Sequence, residues 1–166
     1  MADINFEPHL SDDNAVALVE LLFFAYRDFV ADPDHILEDL GFGRAHHRVL
    51  HFIGRDPGMT VASLLEILQI TKQSLARVLK ELIEKGFVFQ KEGTDRRQRL
   101  LHLTPLGDNL RQKLMAPQID RFKRASLEIG HGRVDDLQQL LFHLINPENQ
   151  TVAQKWIDRS LKSMIK

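Results

Sequence analysis

Apolar and polar positions alternate along the chain with a mostly helical period. Residues 14–30 (NAVALVELLFFAYRDFV) are apolar on more than one face, so a helix here must be covered on two sides. Its own chain and a second subunit together would cover it; a central core helix of a monomer is the alternative. Asp32-Pro33-Asp34 is expected to end this helix, and a second short one is expected over residues 44–53. Gly54 and Pro57-Gly58 close that second helix. Thr60 then reads as the cap of a third, VASLLEIL, with Val61, Leu64, Leu65 and Leu68 at helical spacing. Gln69-Ile70-Thr71 reads as a tight turn into a fourth.

The fourth segment, KQSLARVLKELIEKG, divides into two faces. Leu75, Val78, Leu79, Leu82 and Ile83 form one apolar stripe for the core, and the opposite face carries Gln73, Arg77, Lys80 and Glu84. Thr71, Lys72 and Ser74 stand at its start, where free backbone N–H groups favour phosphate. Gly86 supplies the stop.

Two short stretches with strand-type content come next, FVFQKE and QRLLHL, separated by Gly93-Thr94-Asp95-Arg96-Arg97. This pattern predicts a β-hairpin with a basic tip. Thr104-Pro105 places a cap and a first-turn proline at the start of the next helix, with Leu106, Leu110 and Leu114 as a narrow stripe. Pro117 is expected to kink or break it, and Gly130-His131-Gly132 to end the segment beyond that proline. Two further amphipathic helices are predicted. One carries Val134, Leu137, Leu140, Leu141 and Leu144 before Asn146-Pro147; the other carries Trp156, Ile157, Leu161 and Ile165. Their apolar stripes are expected to pack on a dimer partner.

Composition narrows the class. The 166 residues suffice for one domain, or for a small reading module with a dimerisation element. Zero cysteines exclude disulfides, thiolate nucleophiles, thiol redox switches and cysteine zinc sites. No run of 18 apolar residues occurs and the N-terminus is acidic, so the expectation is a cytoplasmic protein with no membrane partner. The net charge of −1 hides a strong asymmetry. Residues 1–40 hold ten acidic side chains against Arg27 alone, whereas residues 71–102 hold eight basic and four acidic. One element thus suits phosphate and another faces away from it.

A helix, a short turn, a polar-faced second helix and a basic hairpin together predict a winged helix-turn-helix. Groove geometry dictates the chemistry. Arginine can take guanine O6 and N7 together and glutamine adenine N6 and N7, which makes Gln73 and Arg77 the expected base readers. Lys72, Ser74 and Lys80, with Thr71 beside them, are expected on phosphates. Arg96, Arg97 and Arg99 suit the minor groove or its flanking phosphates.

Residues 60–107 resemble the DNA-binding domain of the MarR (multiple antibiotic resistance regulator) family. Its wing element appears as Asp95-Arg96-Arg97, followed by Leu100, Leu103, Thr104 and Gly107. The resemblance implies that Arg97 enters the minor groove and that Asp95 helps hold the wing. It further implies a bacterial homodimer on a pseudo-palindromic double-stranded DNA operator, often released by a small aromatic ligand. The expected architecture is therefore mostly α. Residues 1–40 and 108–166 would supply dimerisation helices around a winged helix-turn-helix DNA-binding domain at 41–107. The function expected is transcription regulation, most simply repression, with no cofactor.

The histidines leave alternatives open. His47 and His51 stand four apart on one helical face with His46 beside them, as metal ligands on a helix would. A zinc-responsive regulator is one reading. The other places these side chains at the seam between the reading and dimerisation parts, touching a small-molecule effector, aromatic or anionic, with Arg44 as carboxylate partner. No glycine-rich phosphate loop, G-x-S-x-G or paired catalytic carboxylates are present, so an enzyme is not expected. A winged helix that docks protein instead of DNA is the remaining alternative, against which stand Arg77, Lys80, Arg96 and Arg97.

Overall fold

The computed structural model describes residues 10–93 and 98–162, and the side chains of all of these except 131 and 160–162. Helix α1 (Asp12–Glu38) opens with Ser11 as its cap and is followed by α2 (Arg44–Arg55). A two-residue strand β1 (Met59–Thr60) leads into α3 (Val61–Leu68), capped by Thr60 Oγ1 accepting the Ser63 N–H at 3.1 Å. Gln69, in the left-handed region at φ 51°, turns the chain into α4 (Lys72–Glu84). Strands β2 (Val88–Glu92) and β3 (Arg99–Leu103) form an antiparallel hairpin, and β1 adds to β3 to give the order β1-β3-β2. Then come α5 (Pro105–Ile129), α6 (Val134–His143) and α7 (Pro147–Lys162).

The core lies where α2, α3 and α4 meet the sheet. Val49, Leu50, Ile53, Leu64, Leu75, Leu82 and Leu101 are fully buried there, joined by Leu37 from α1 and Leu114 from α5. Thr104 ties the hairpin to α5. Its Oγ1 accepts the Gly107 N–H at 3.0 Å and donates to the Gly86 carbonyl at 2.7 Å. Gly107 faces the Phe87 carbonyl so closely that a Cβ would lie 2.0 Å from that oxygen. The Leu-Thr-x-x-Gly spacing is therefore a packing requirement.

Five expectations are corrected. The first helix does not end at Asp32-Pro33-Asp34; α1 runs through Pro33 to Glu38. Proline removes the N–H that would bond the Phe29 carbonyl, and the buried Gln118 of α5 replaces it, Nε2 donating to Phe29 O at 3.2 Å. Pro117 does not break α5, which continues for twelve residues beyond it to Ile129. Burial of Leu114 and Gln118, together with the Arg121–Asp32 ion pair at 2.9 Å to α1, holds α5 in place against the roughly 3 kcal/mol cost of a proline inside a helix. Ile83 lies on the exposed margin of the α4 stripe, and Leu106 on the exposed side of α5. Trp156 packs within its own chain, its ring 4.9 Å from and edge-on to Phe52 of α2. In the same helix Arg159 pairs with Asp56, the residue just after α2, at 2.9 Å.

Among the described residues no helix is long and apolar enough to cross a membrane.

Candidate nucleic-acid interface

Helices α3 and α4, joined by the turn at Gln69, with the β2–β3 hairpin beside them, form a helix-turn-helix with its wing. Leu75, Val78, Leu79 and Leu82 fix α4 in the core, and that fixes the outward direction of every other side chain on it. Lys72, Gln73, Ser74, Arg77 and Lys80 are all exposed on this one helix. Thr71 is its N-cap. Its Oγ1 accepts the Ser74 N–H at 3.1 Å and donates to Ser74 Oγ at 2.9 Å, so both hydroxyls first serve the cap.

The cations of the face are loosely tethered. Lys80 lies 3.7 Å from Glu84 and Arg77 Nε lies 4.0 Å from Glu81. Arg99, on β3, pairs with Glu92 across the hairpin at 3.1 Å. Exposed pairs like those of Lys80 and Arg99 are worth about 0–1 kcal/mol, so phosphates can take over these two cations at little cost. Asp95, Arg96 and Arg97 lie outside the described residues.

A second constellation lies where α1, α2 and α5 converge. A cavity of about 340 Å³ is lined by Tyr26, Phe29, Val30, Phe52 and Met115, with Gln118 on its polar side. Of the four residues grouped from sequence, Arg44, His47 and His51 line this cavity and His46 does not. His46 is buried on the other side of α2. Its Nδ1 accepts the Gly43 N–H at 3.1 Å, so the proton sits on Nε2, which donates to Glu81 of α4 at 2.8 Å. Arg44 is held by Asp34, two nitrogens meeting the carboxylate at 2.7–3.2 Å.

Burial pushes the His47 imidazole below its ordinary range and pushes His51 down to about 4, aided there by His47, Arg111 and Arg55. Both are therefore neutral at pH 7. His51 Nδ1 is a buried polar atom with no hydrogen-bond partner. Among the described residues no three His, Cys, Asp or Glu side chains converge as a metal site.

Sequence reasoning missed several contributors, among them Asp34, Glu81, Tyr26, Arg48 and Gln118. Gln118 alone left a signal, since it continues the Leu110–Leu114 row as a polar residue on an apolar stripe. The others depend on contacts between segments distant in sequence.

The geometry defines a class: a winged helix-turn-helix protein whose second helix presents cations and an amide outward. Comparison with known proteins agrees. The MarR family model matches residues 40–98. The HTH-type transcriptional regulator PetP of Rhodobacter capsulatus is 45% identical over 139 residues, spanning 83% of this chain and 84% of that protein. Among solved structures, the transcriptional regulator SlyA superposes with a TM-score of 0.65 at 16% identity, over 84% of this chain and 96% of SlyA. Reduced MarR from E. coli gives 0.59 at 23% identity, over 78% and 96%. The chain belongs to the MarR family, and its general role is that of a DNA-binding transcription regulator.

Proposed function

We propose that the chain acts as a cytoplasmic homodimer that reads a pseudo-palindromic duplex and represses transcription from it. The observation that carries this reading is the outward face of α4, where Gln73, Arg77 and Lys80 stand exposed on a helix locked into the core by its opposite side. Gln73 and Arg77 read bases; Thr71, Lys72, Ser74, Lys80 and Arg99 hold phosphates, with Arg96 and Arg97 completing the wing contact and Asp95 holding it. Residues 41–107 form the reading unit.

The flanking segments 1–40 and 108–166 make the dimer. Only Val30, Pro33 and Leu37 of α1 are buried within the chain, whereas Leu18, Val19, Leu21, Leu22, Phe23 and Phe24 are exposed. Phe122, Leu127 and Ile129 of α5, Leu140 of α6 and Leu144 just after it are exposed as well. Apolar exposure on this scale marks an interaction surface, and a symmetric operator calls for a second copy on it.

The cavity between α1, α2 and α5 is the effector site. Its aromatic walls suit a small aromatic compound; since Arg44 is engaged by Asp34, Arg48 at its lining is the cation open to an anionic substituent. His51, whose Nδ1 has no hydrogen-bond partner, is a polar group at the same wall.

Two substitutions test the DNA reading. Arg77→Ala should relax sequence preference and cost about 1–3 kcal/mol on the preferred duplex; Lys80→Ala should weaken all duplexes alike and lower the salt slope by about 1. A uniform loss for Arg77→Ala would rule out direct readout by this arginine.

A further inference from the structure

Three side chains connect α2, behind the reading head, to the exposed Arg77 of α4. His46 of α2 is buried, and the Gly43 N–H on Nδ1 fixes its proton on Nε2. That N–H is donated to Glu81 Oε2 at 2.8 Å, which holds the Glu81 carboxylate in place on α4. The other oxygen, Oε1, lies 4.0 Å from Arg77 Nε, one turn earlier on the same helix.

We infer that Glu81, clamped by His46, is the positioning residue that orients Arg77 for base recognition. The inference rests on the proposed DNA reading, in which Arg77 contacts a base. The approach of Glu81 to the Nε side matters, because it leaves the two terminal nitrogens free. Those are the donors that a guanine O6 and N7 pair engages. A carboxylate that is itself hydrogen-bonded from the core cannot swing away with the arginine, so it narrows the directions the guanidinium samples before DNA arrives. Glu81 is itself half-buried, with one oxygen occupied, which leaves it a support and not a reader. On binding, the shielding of the pair from water strengthens its attraction.

The test uses the full-length protein and the duplex it enriches from a random pool. The readout is the ratio of affinities for that duplex and for the same duplex with the base pair facing Arg77 replaced. Glu81→Gln keeps an acceptor for His46 but turns its charge off towards Arg77. It should lower the ratio about two- to fivefold, with melting temperature and salt slope close to those of the wild type. In the Arg77→Ala background the same change should do nothing to the ratio. Glu81→Asp, which keeps the charge and withdraws it by one methylene, should lower the ratio similarly and guards against misfolding of the first variant. An unchanged ratio in both variants, or an equal loss with and without Arg77, overturns the positioning role. If Arg77→Ala alone weakens every duplex equally, direct readout has failed first and the inference falls with it, a result separable from failure of Glu81.

Discussion

Burial of an imidazole without a partner sets His51 apart from the other histidines. Its folded-state value of about 4 lies below the ordinary 6.5, so the unfolded chain binds the proton more readily than the folded one. Stability is therefore fully present above pH 6.5 and declines as pH falls towards 4, where the folded form also takes up the proton. Between pH 7 and pH 5 the loss due to this one group should be about 2 kcal/mol. Urea unfolding of wild type and His51→Leu at the two pH values checks this. The variant should lose about 2 kcal/mol less between them, and an identical loss would show that His51 does not titrate in that window. His51→Leu should also keep its stability at pH 7, because it removes a buried nitrogen that nothing satisfies. A group that stability does not require, at the wall of a cavity, fits a role in ligand contact. Residue by residue, the sequence was unevenly legible. The outward residues of α4 could be assigned from period alone, but His46, His47 and His51 looked like one group. A helix face splits them, because His46 is a single residue from His47 and so points about 100° away from it.

Elements were legible wherever local signals agreed with packing. Thr60 and Thr104 each cap the helix expected of them, Thr71 caps α4 as well, and Gly86, at φ 76°, ends α4. Prolines misled, because their local cost was offset from elsewhere in the chain. The Phe29 carbonyl freed by Pro33 has its donor on α5, 89 residues away. Gln118→Leu should accordingly cost about 1–3 kcal/mol, since it leaves that carbonyl buried and unpaired. In a Pro33→Ala background the cost should shrink, because the restored backbone N–H can close the helical bond. Thermal melts of the two single variants and the double variant measure this coupling; strict additivity would contradict it. The glycine of the wing motif is explained in the same terms. Gly107→Ala drives a methyl into the Phe87 carbonyl at 2.0 Å and should destabilise by at least about 2 kcal/mol, read in a urea titration. A variant as stable as wild type would show that α5 and the hairpin separate freely.

Across the chain as a whole, charge and apolar exposure are segregated. Residues 1–40 are strongly acidic and α1 within them exposes a large apolar surface, while residues 71–102, which include α4 and the hairpin, carry a net basic charge. Mutual repulsion keeps an acidic region off DNA and leaves its apolar face for another protein surface. Phe23→Glu with Phe24→Glu should convert the dimer to monomer in sedimentation equilibrium. DNA affinity should then fall by about a hundredfold or more, as the second half-site contact is lost. A wild-type chain that sediments as a monomer would contradict the dimer outright. The C-terminal helix was the least legible part. The stripe of α7 announced a partner, but only three-dimensional proximity shows that Trp156 finds part of it on Phe52 of its own chain.

Sequence-specific reading by a symmetric dimer is decided by enrichment of bound duplexes from a random DNA pool with the purified protein, at low and at moderate salt. A dimeric reader should yield a pseudo-palindrome with half-sites about one helical turn apart that persists at moderate salt, since base contacts survive when phosphate contacts weaken. Recovery of sequence-blind binding that disappears at moderate salt, or of none, would contradict it and leave the winged helix as a surface for a protein partner.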